Sequence, residues 1–259
     1  VLTFNNLDID PLVGAYLRQF RTTSHTLMAG RLELNGPLRE PRRLNATGSI
    51  DSFVAGVENV KVASRGPILF SVKDQVVHLD ALHLIGEGTD FSATGQAALT
   101  GDQALEVRAD GRINMRILQS FSPEYSSSGL TTINLNVRGT LQQPRIRGCI
   151  QISDGAISYV DLPNGLSGIN GTLIFTEDRL QVQKLSAHTG GGDLDIGGFI
   201  TYRNGLTFTL TARGTDIRLR YPPGVSASGN ADLTLAGTPK NSLLSGDITV
   251  TRFGLNPKF

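Results

Sequence analysis

Apolar and polar residues alternate along most of this chain, and that two-residue period constrains the fold more than any other feature. Leu32 and Leu34 are interleaved with Arg31, Glu33 and Asn35, and Ile133, Leu135 and Val137 with Asn134, Asn136 and Arg138. Ile146, Gly148, Ile150 and Ile152 alternate with Arg145, Arg147, Cys149 and Gln151. Leu206, Phe208, Leu210 and Ala212 keep the same phase, as do Leu233 and Leu235, then Leu244, Gly246, Ile248 and Val250. Successive side chains of an extended strand point to opposite faces, so each run builds one apolar and one polar face. Strands of this kind are half-buried and antiparallel in style, unlike the solid apolar runs of a covered parallel sheet. Gly, Asn, Asp and Pro recur roughly every 8–12 residues, which predicts short strands joined by tight turns.

Helix signals are few. Asp10-Pro11, followed by Leu12, Val13, Tyr16, Leu17 and Phe20, predicts one short amphipathic helix with Asp10 as N-cap and Pro11 at the first helical position. That helix is expected to cap a sheet edge or to plug the sheet's apolar face. A weaker turn is expected over Ile117 to Phe121.

The alternation is organised into repeats. Gly30-Arg-Leu-Glu-Leu-Asn-Gly36, Gly129 to Gly139 and Gly229 to Gly237 share a layout, and each leads to a second pattern: Leu44-x-Ala46-x-Gly48-x-Ile50, Ile146-x-Gly148-x-Ile150 and Leu244-x-Gly246-x-Ile248. A further block recurs at an offset of 103 residues, matching Val77 with Leu180, Leu79 with Val182, Leu82 with Leu185 and Leu84 with Ala187. The same offset matches Gly88 with Gly191, Asp90 with Asp193 and Gly95 with Gly198. The chain therefore divides into the end of a module with the short helix (1–29), module 1 (30–128), module 2 (129–228) and the start of module 3 (229–259), forming one continuous elongated domain. Each module has room for about eight short strands. Asn6-Leu-Asp-Ile9, Arg112-Ile-Asn-Met115 and Asp216-Ile-Arg-Leu219 precede the repeats in matching fashion. Val1-Leu2-Thr3-Phe4 reads as the middle of a strand, so the chain is expected to be an internal piece of something longer. One module cannot bury its apolar face alone, so neighbours must stack. A closed dry sandwich and an open curved sheet with an apolar concave face both satisfy this.

Composition narrows the function. A net charge of +1 gives no field to attract nucleic acid or anionic lipid. The single Cys excludes a disulfide framework and a cysteine-rich metal site. With no Trp and 6% aromatic residues, the apolar phase is mainly aliphatic, which suits flexible chains or a slim packed solenoid. The 30 glycines permit bulges and kinks.

Longer phrases resemble a known family. Gly139-Thr-Leu-Gln-Gln-Pro-Arg-Ile-Arg-Gly-Cys-Ile-Gln-Ile-Ser-Asp-Gly155, Gly168-Ile-Asn-Gly-Thr-Leu-Ile-Phe175, Leu180 to Gly192 leading to Asp195-Ile-Gly-Gly-Phe199, and Gly237 to Val250 together resemble the repeated β-rich region of the AsmA-like/TamB family. The resemblance covers roughly Gly30 to Phe259. It implies an internal segment of a long β-taco, a U-section sheet with an apolar trough, in the periplasm of a Gram-negative-type envelope. It implies a parent protein anchored in the inner membrane that conducts phospholipid to the outer membrane and partners TamA, an outer-membrane barrel. The family's anchor and its extreme C-terminal partner-binding region are not recognisable here, so TamA contact is expected through the parent protein.

On this reading the partners are phospholipid acyl chains, and the trough is lined by Leu32, Leu34 and Ile50, then Leu79, Leu82 and Leu84, then Ile133, Leu135, Val137 and Ile150. The lining continues through Val182, Leu185, Leu206, Phe208, Leu210, Leu233, Leu235 and Ile248. No catalytic residue, metal site or cofactor is expected. No G-x-S-x-G elbow, Walker loop or dinucleotide fingerprint occurs. His78 and His83, five apart, are expected on opposite faces of a strand, and His25 and His188 in solvent or turns. Gly190-Gly-Gly-Asp-Leu-Asp195 reads as a glycine-rich turn rather than a calcium repeat, and Arg39, Arg42 and Arg43 as a solvated loop. Two rival readings remain: a scaffold or chaperone for outer-membrane β-proteins, and a dry structural β-solenoid or adhesin.

Overall fold

The computed structural model describes residues 1–11, 24–37, 40, 43–57, 60–120, 124–203 and 205–255. Sixteen strands follow one another: β1 (Leu2–Asp8), β2 (Ser24–Asn35), β3 (Asn45–Val57), β4 (Val60–Ser64), β5 (Ile68–Lys73), β6 (Val76–Gly86), β7 (Thr89–Ala98) and β8 (Ala104–Asn114). After a 3₁₀ helix, Met115–Ser120, come β9 (Tyr125–Thr140), β10 (Pro144–Tyr159), β11 (Leu166–Glu177), β12 (Arg179–Thr189), β13 (Gly192–Thr201), β14 (Thr207–Leu219), β15 (Val225–Gly237) and β16 (Ser242–Leu255). They form one antiparallel sheet in chain order, except that β5 lies off this path and pairs with β3 and β6. Contacts divide the chain into unit 1, Val1–Pro123 with Thr132–Arg147, and unit 2, Glu124–Thr131 with Gly148–Phe259.

Several strands exceed the length that the spacing of turn residues predicts. β9 and β10 have 16 residues each. Many internal Gly, Asn and Asp residues are therefore not turns. They sit inside strands as bulges and kinks. Asn6 (φ 49°) lies where β1 slips register against β2 between Phe4 and Leu7, and Asp216 (φ 52°) where β14 slips between Gly214 and Ile217. A short polar side chain tolerates the left-handed conformation such bulges require.

In unit 1, β4 and β5 share one position in the sheet. β4 pairs with Val54–Val57 of β3 and β5 with Ala46–Ile50, and both also pair with β6. The break between them is Arg65-Gly66-Pro67, where Gly66 has φ 86° and Pro67 has no N–H to donate. The 3₁₀ helix covers most of the turn expected over Ile117 to Phe121; Phe121 is outside the described residues. Asp10 and Pro11 are helical, but the rest of the expected amphipathic helix, residues 12–23, lies outside them too. The Asp10 carboxylate accepts a hydrogen bond from the Thr26 N–H at 3.2 Å, tying this point to β2.

The 103-residue offset reappears in the strands. β6, β7 and β8 start at Val76, Thr89 and Ala104; β12, β13 and β14 start at Arg179, Gly192 and Thr207. The bulges repeat too: β6 slips between Leu79 and Leu82, and β12 between Val182 and Leu185.

Candidate functional site: an apolar sheet face

Strand register decides which residues share a face. In unit 1, Leu2 faces Leu32, Leu32 faces Gly48, Gly48 faces Phe70, Phe70 faces Leu79, Leu79 faces Gly95 and Gly95 faces Val107. The neighbouring row runs Leu34, Ala46, Val72, Val77, Ala97 and Leu105. Leu82, Ala93 and Ala109 make a third, and Leu84, Phe91 and Gly111 a fourth. Ile50 lies opposite Gly30 and Ile68 on the same face.

Unit 2 repeats the arrangement. Leu173, Val182, Gly198, Leu210, Leu235 and Leu244 form one row. Gly171, Leu185, Ile196, Ala212, Leu233 and Gly246 form the next, and Leu194, Gly214, Ala231 and Ile248 another. Among the described residues that these registers pair, no charged side chain falls on the apolar face of either unit.

The bulges maintain this separation. Leu79 and Leu82 are three residues apart and would point oppositely in a regular strand. They pair with Gly95 and Ala93, two apart on β7, so the extra residue in β6 returns Leu82 and Leu84 to the apolar face. The same slip corrects the expectation for the histidines. His78 pairs with Gln96 and His83 with Ser92, four apart, so both lie on the polar face. The reason the period-2 count fails is the bulge between them. His25 lies on β2, paired with Gly56, with its side chain outside the described atoms.

The predicted lining residues fall as follows. Leu32, Leu34, Ile50, Leu79, Leu82 and Leu84 share the face of unit 1, and Val182, Leu185, Phe208, Leu210, Leu233, Leu235 and Ile248 that of unit 2. Ile133, Leu135 and Val137 occupy alternate half-buried positions of β9. Arg138 next to them reaches Glu106 on the polar face, which directs the three apolar side chains the other way. Ile150 is half-buried between exposed Cys149 and Gln151. Leu206 precedes β14, outside the ladder, and is 47% exposed. Sequence reasoning missed Phe70 and Val72 of β5, Val107 of β8 and Ile196 of β13, although Ile68-x-Phe70-x-Val72 carried the period.

The face is accessible. Among the described residues only Val60, Val62, Ile68, Ala93, Met115, Ile169, Val182 and Ala187 are buried hydrophobics, and most other apolar positions keep partial exposure. The polar face is laced with exposed polar pairs: the ion pairs Arg138 with Glu106 (2.8 Å) and Arg213 with Asp232 (2.7 Å), and the histidine–carboxylate contacts His83 with Asp90 (2.7 Å) and His188 with Asp193 (2.7 Å). The hydrogen bond from His83 holds the Asp90 carboxyl below its ordinary range, and the Asp232 carboxylate raises Arg213. Such exposed pairs contribute little stability. No three metal-ligating side chains converge among the described residues, and Gly190-Gly191 makes the turn into β13.

Each unit thus carries an uncharged, mainly aliphatic face on an antiparallel ladder with matching bulges. The TamB C-terminal domain model matches residues 80–255, and the chain belongs to the TamB family. That family is transport-related and non-catalytic, acts in the TamB/AsmA-like system of the cell envelope, and is associated with TamA and membrane lipids. No curated protein and no solved structure matches the chain. Among the described residues no helix is long and apolar enough to cross a membrane.

Proposed function

We propose that this chain is a periplasmic segment of a phospholipid conduit, and that the apolar face of each unit carries acyl chains between inner and outer membranes. The observation that carries the reading is the register: among the described residues, the bulges keep the apolar phase on one uncharged, partly exposed face. Each CH₂ of a lipid tail left in water costs about 0.8 kcal/mol, so a run of aliphatic rows lets a chain move without re-exposure. Weak, many-sited contact suits passage, since a tight pocket would hold its ligand. Residues 30–128 and 129–228 are the repeated modules in this reading, supported by the matched strands and bulges.

Native mass spectrometry of gently purified protein tests it. Phospholipid adducts are expected, and Leu82→Asp or Leu210→Asp should remove most of them while Thr209→Asp, on the polar face, should not. Protein free of lipid with its fold intact would overturn the proposal.

A further inference from the structure

Resting on the lipid path just described, we propose that the Met115–Ser120 3₁₀ helix is a strap across the apolar face of unit 1. It closes the face beside β3 and β4, and it must lift for an acyl chain to pass there.

The strap leaves the end of β8, yet its Cα atoms come within 8 Å of β3. In the sheet, β7, β6 and β4 stand between these two strands. Four steps of about 4.8 Å make on the order of 19 Å along the sheet. Six residues of 3₁₀ helix span only about 12 Å. The segment lies close to β3 although four strand steps separate them along the sheet, and it pairs with no strand, so it approaches β3 from outside the ladder. Burial identifies the face it approaches. Val60 and Val62 of β4 (2% and 6% exposed) and Thr26 of β2 are buried, and all lie on the apolar side. Met115 and Gln119 of the strap are buried as well, while Leu118 is 45% exposed.

Asn114 is the point at which the chain turns from strand to strap. Its N–H donates to Thr89 Oγ1 at 3.2 Å and its Nδ2 to the Glu87 carbonyl at 3.1 Å, and its Oδ1 accepts from the Arg116 N–H at 3.0 Å. The corresponding segment 103 residues later, Arg218 to Gly224, is exposed throughout, so module 2 has no such strap. Two turns of 3₁₀ helix with an exposed leucine open locally at low free energy.

Cysteine labelling tests this on the full chain, in a Cys149→Ser background, with an N-alkylmaleimide as the apolar probe. Val62→Cys, beneath the strap, should label about tenfold more slowly than Leu82→Cys on the open face, as expected where reaction waits on local opening. Met115→Gly and, separately, Asn114→Ala should each bring Val62→Cys to within about threefold of Leu82→Cys. An unchanged Leu82→Cys rate in both variants verifies that the sheet survives. Equal labelling with the strap intact, or slow labelling in both variants, overturns the strap. Absence of lipid adducts from the unsubstituted chain would instead overturn the conduit, and the Val62 rates would still report on the strap.

Discussion

Two glycines on the apolar face serve different physical needs and should respond differently to substitution. Gly48 seats the Phe70 ring, which occupies the space a Cβ would take, and its backbone is ordinary. Gly48→Ala should cost about 1–3 kcal/mol by overpacking, and Phe70→Leu should recover part of that loss in a double-mutant cycle of urea unfolding. Gly198 in β13 has φ 116°, a conformation L side chains rarely adopt, and a Cβ would meet the Thr209 carbonyl and the Leu210 Cα. Gly198→Ala should cost about 1–3 kcal/mol, and trimming Leu210 to Ala should recover none of it. On the polar face, His83→Gln should raise the Asp90 pKa toward its ordinary value, measured by NMR titration. The sign follows from the folded-state depression. Asp90 contributes its stability above the unfolded-state pKa and loses it as pH falls through the lower folded value. The exposure of the group keeps that contribution small.

At the scale of the strand, the bulge is the element that matters. Deleting Asp80 would remove the extra residue of β6 and turn Leu82 and Leu84 to the polar side. The expected loss is roughly 1 kcal/mol for each half-buried leucine. Hydrogen exchange should show β6 and β7 losing protection first. If the deletion is neutral, the bulge does not set the face. The alternation Leu32-x-Leu34 or Ile133-x-Leu135-x-Val137 was enough to infer strands, and the repeat enough to anticipate matching strands in two modules. The bulges were not legible, because Asn6, Asp80 and Asp216 look in sequence like turn formers. The same ambiguity misassigned the faces of His78 and His83 and shortened the expected strands. Leu206 kept the apolar phase but falls just outside β14, since period alone does not mark where pairing begins. The strap was visible only as a weak turn, because its approach to β3 is a tertiary property.

For the whole molecule, the proposed conduit depends on keeping charge off one face of each unit while leaving that face partly open. Family membership places the chain in an envelope transport system, and the apolar rows give that role a physical basis. The most direct test is site-specific photo-cross-linking in living cells, with benzoylphenylalanine placed at successive positions of β14 and β6. Phospholipid should be captured at Phe208, Leu210 and Ala212 and not at Thr209 or Thr211, and at Leu79, Leu82 and Leu84 with the three-residue step that the bulge imposes. Capture with no face preference, or capture of protein strands alone at all these positions, would contradict the account.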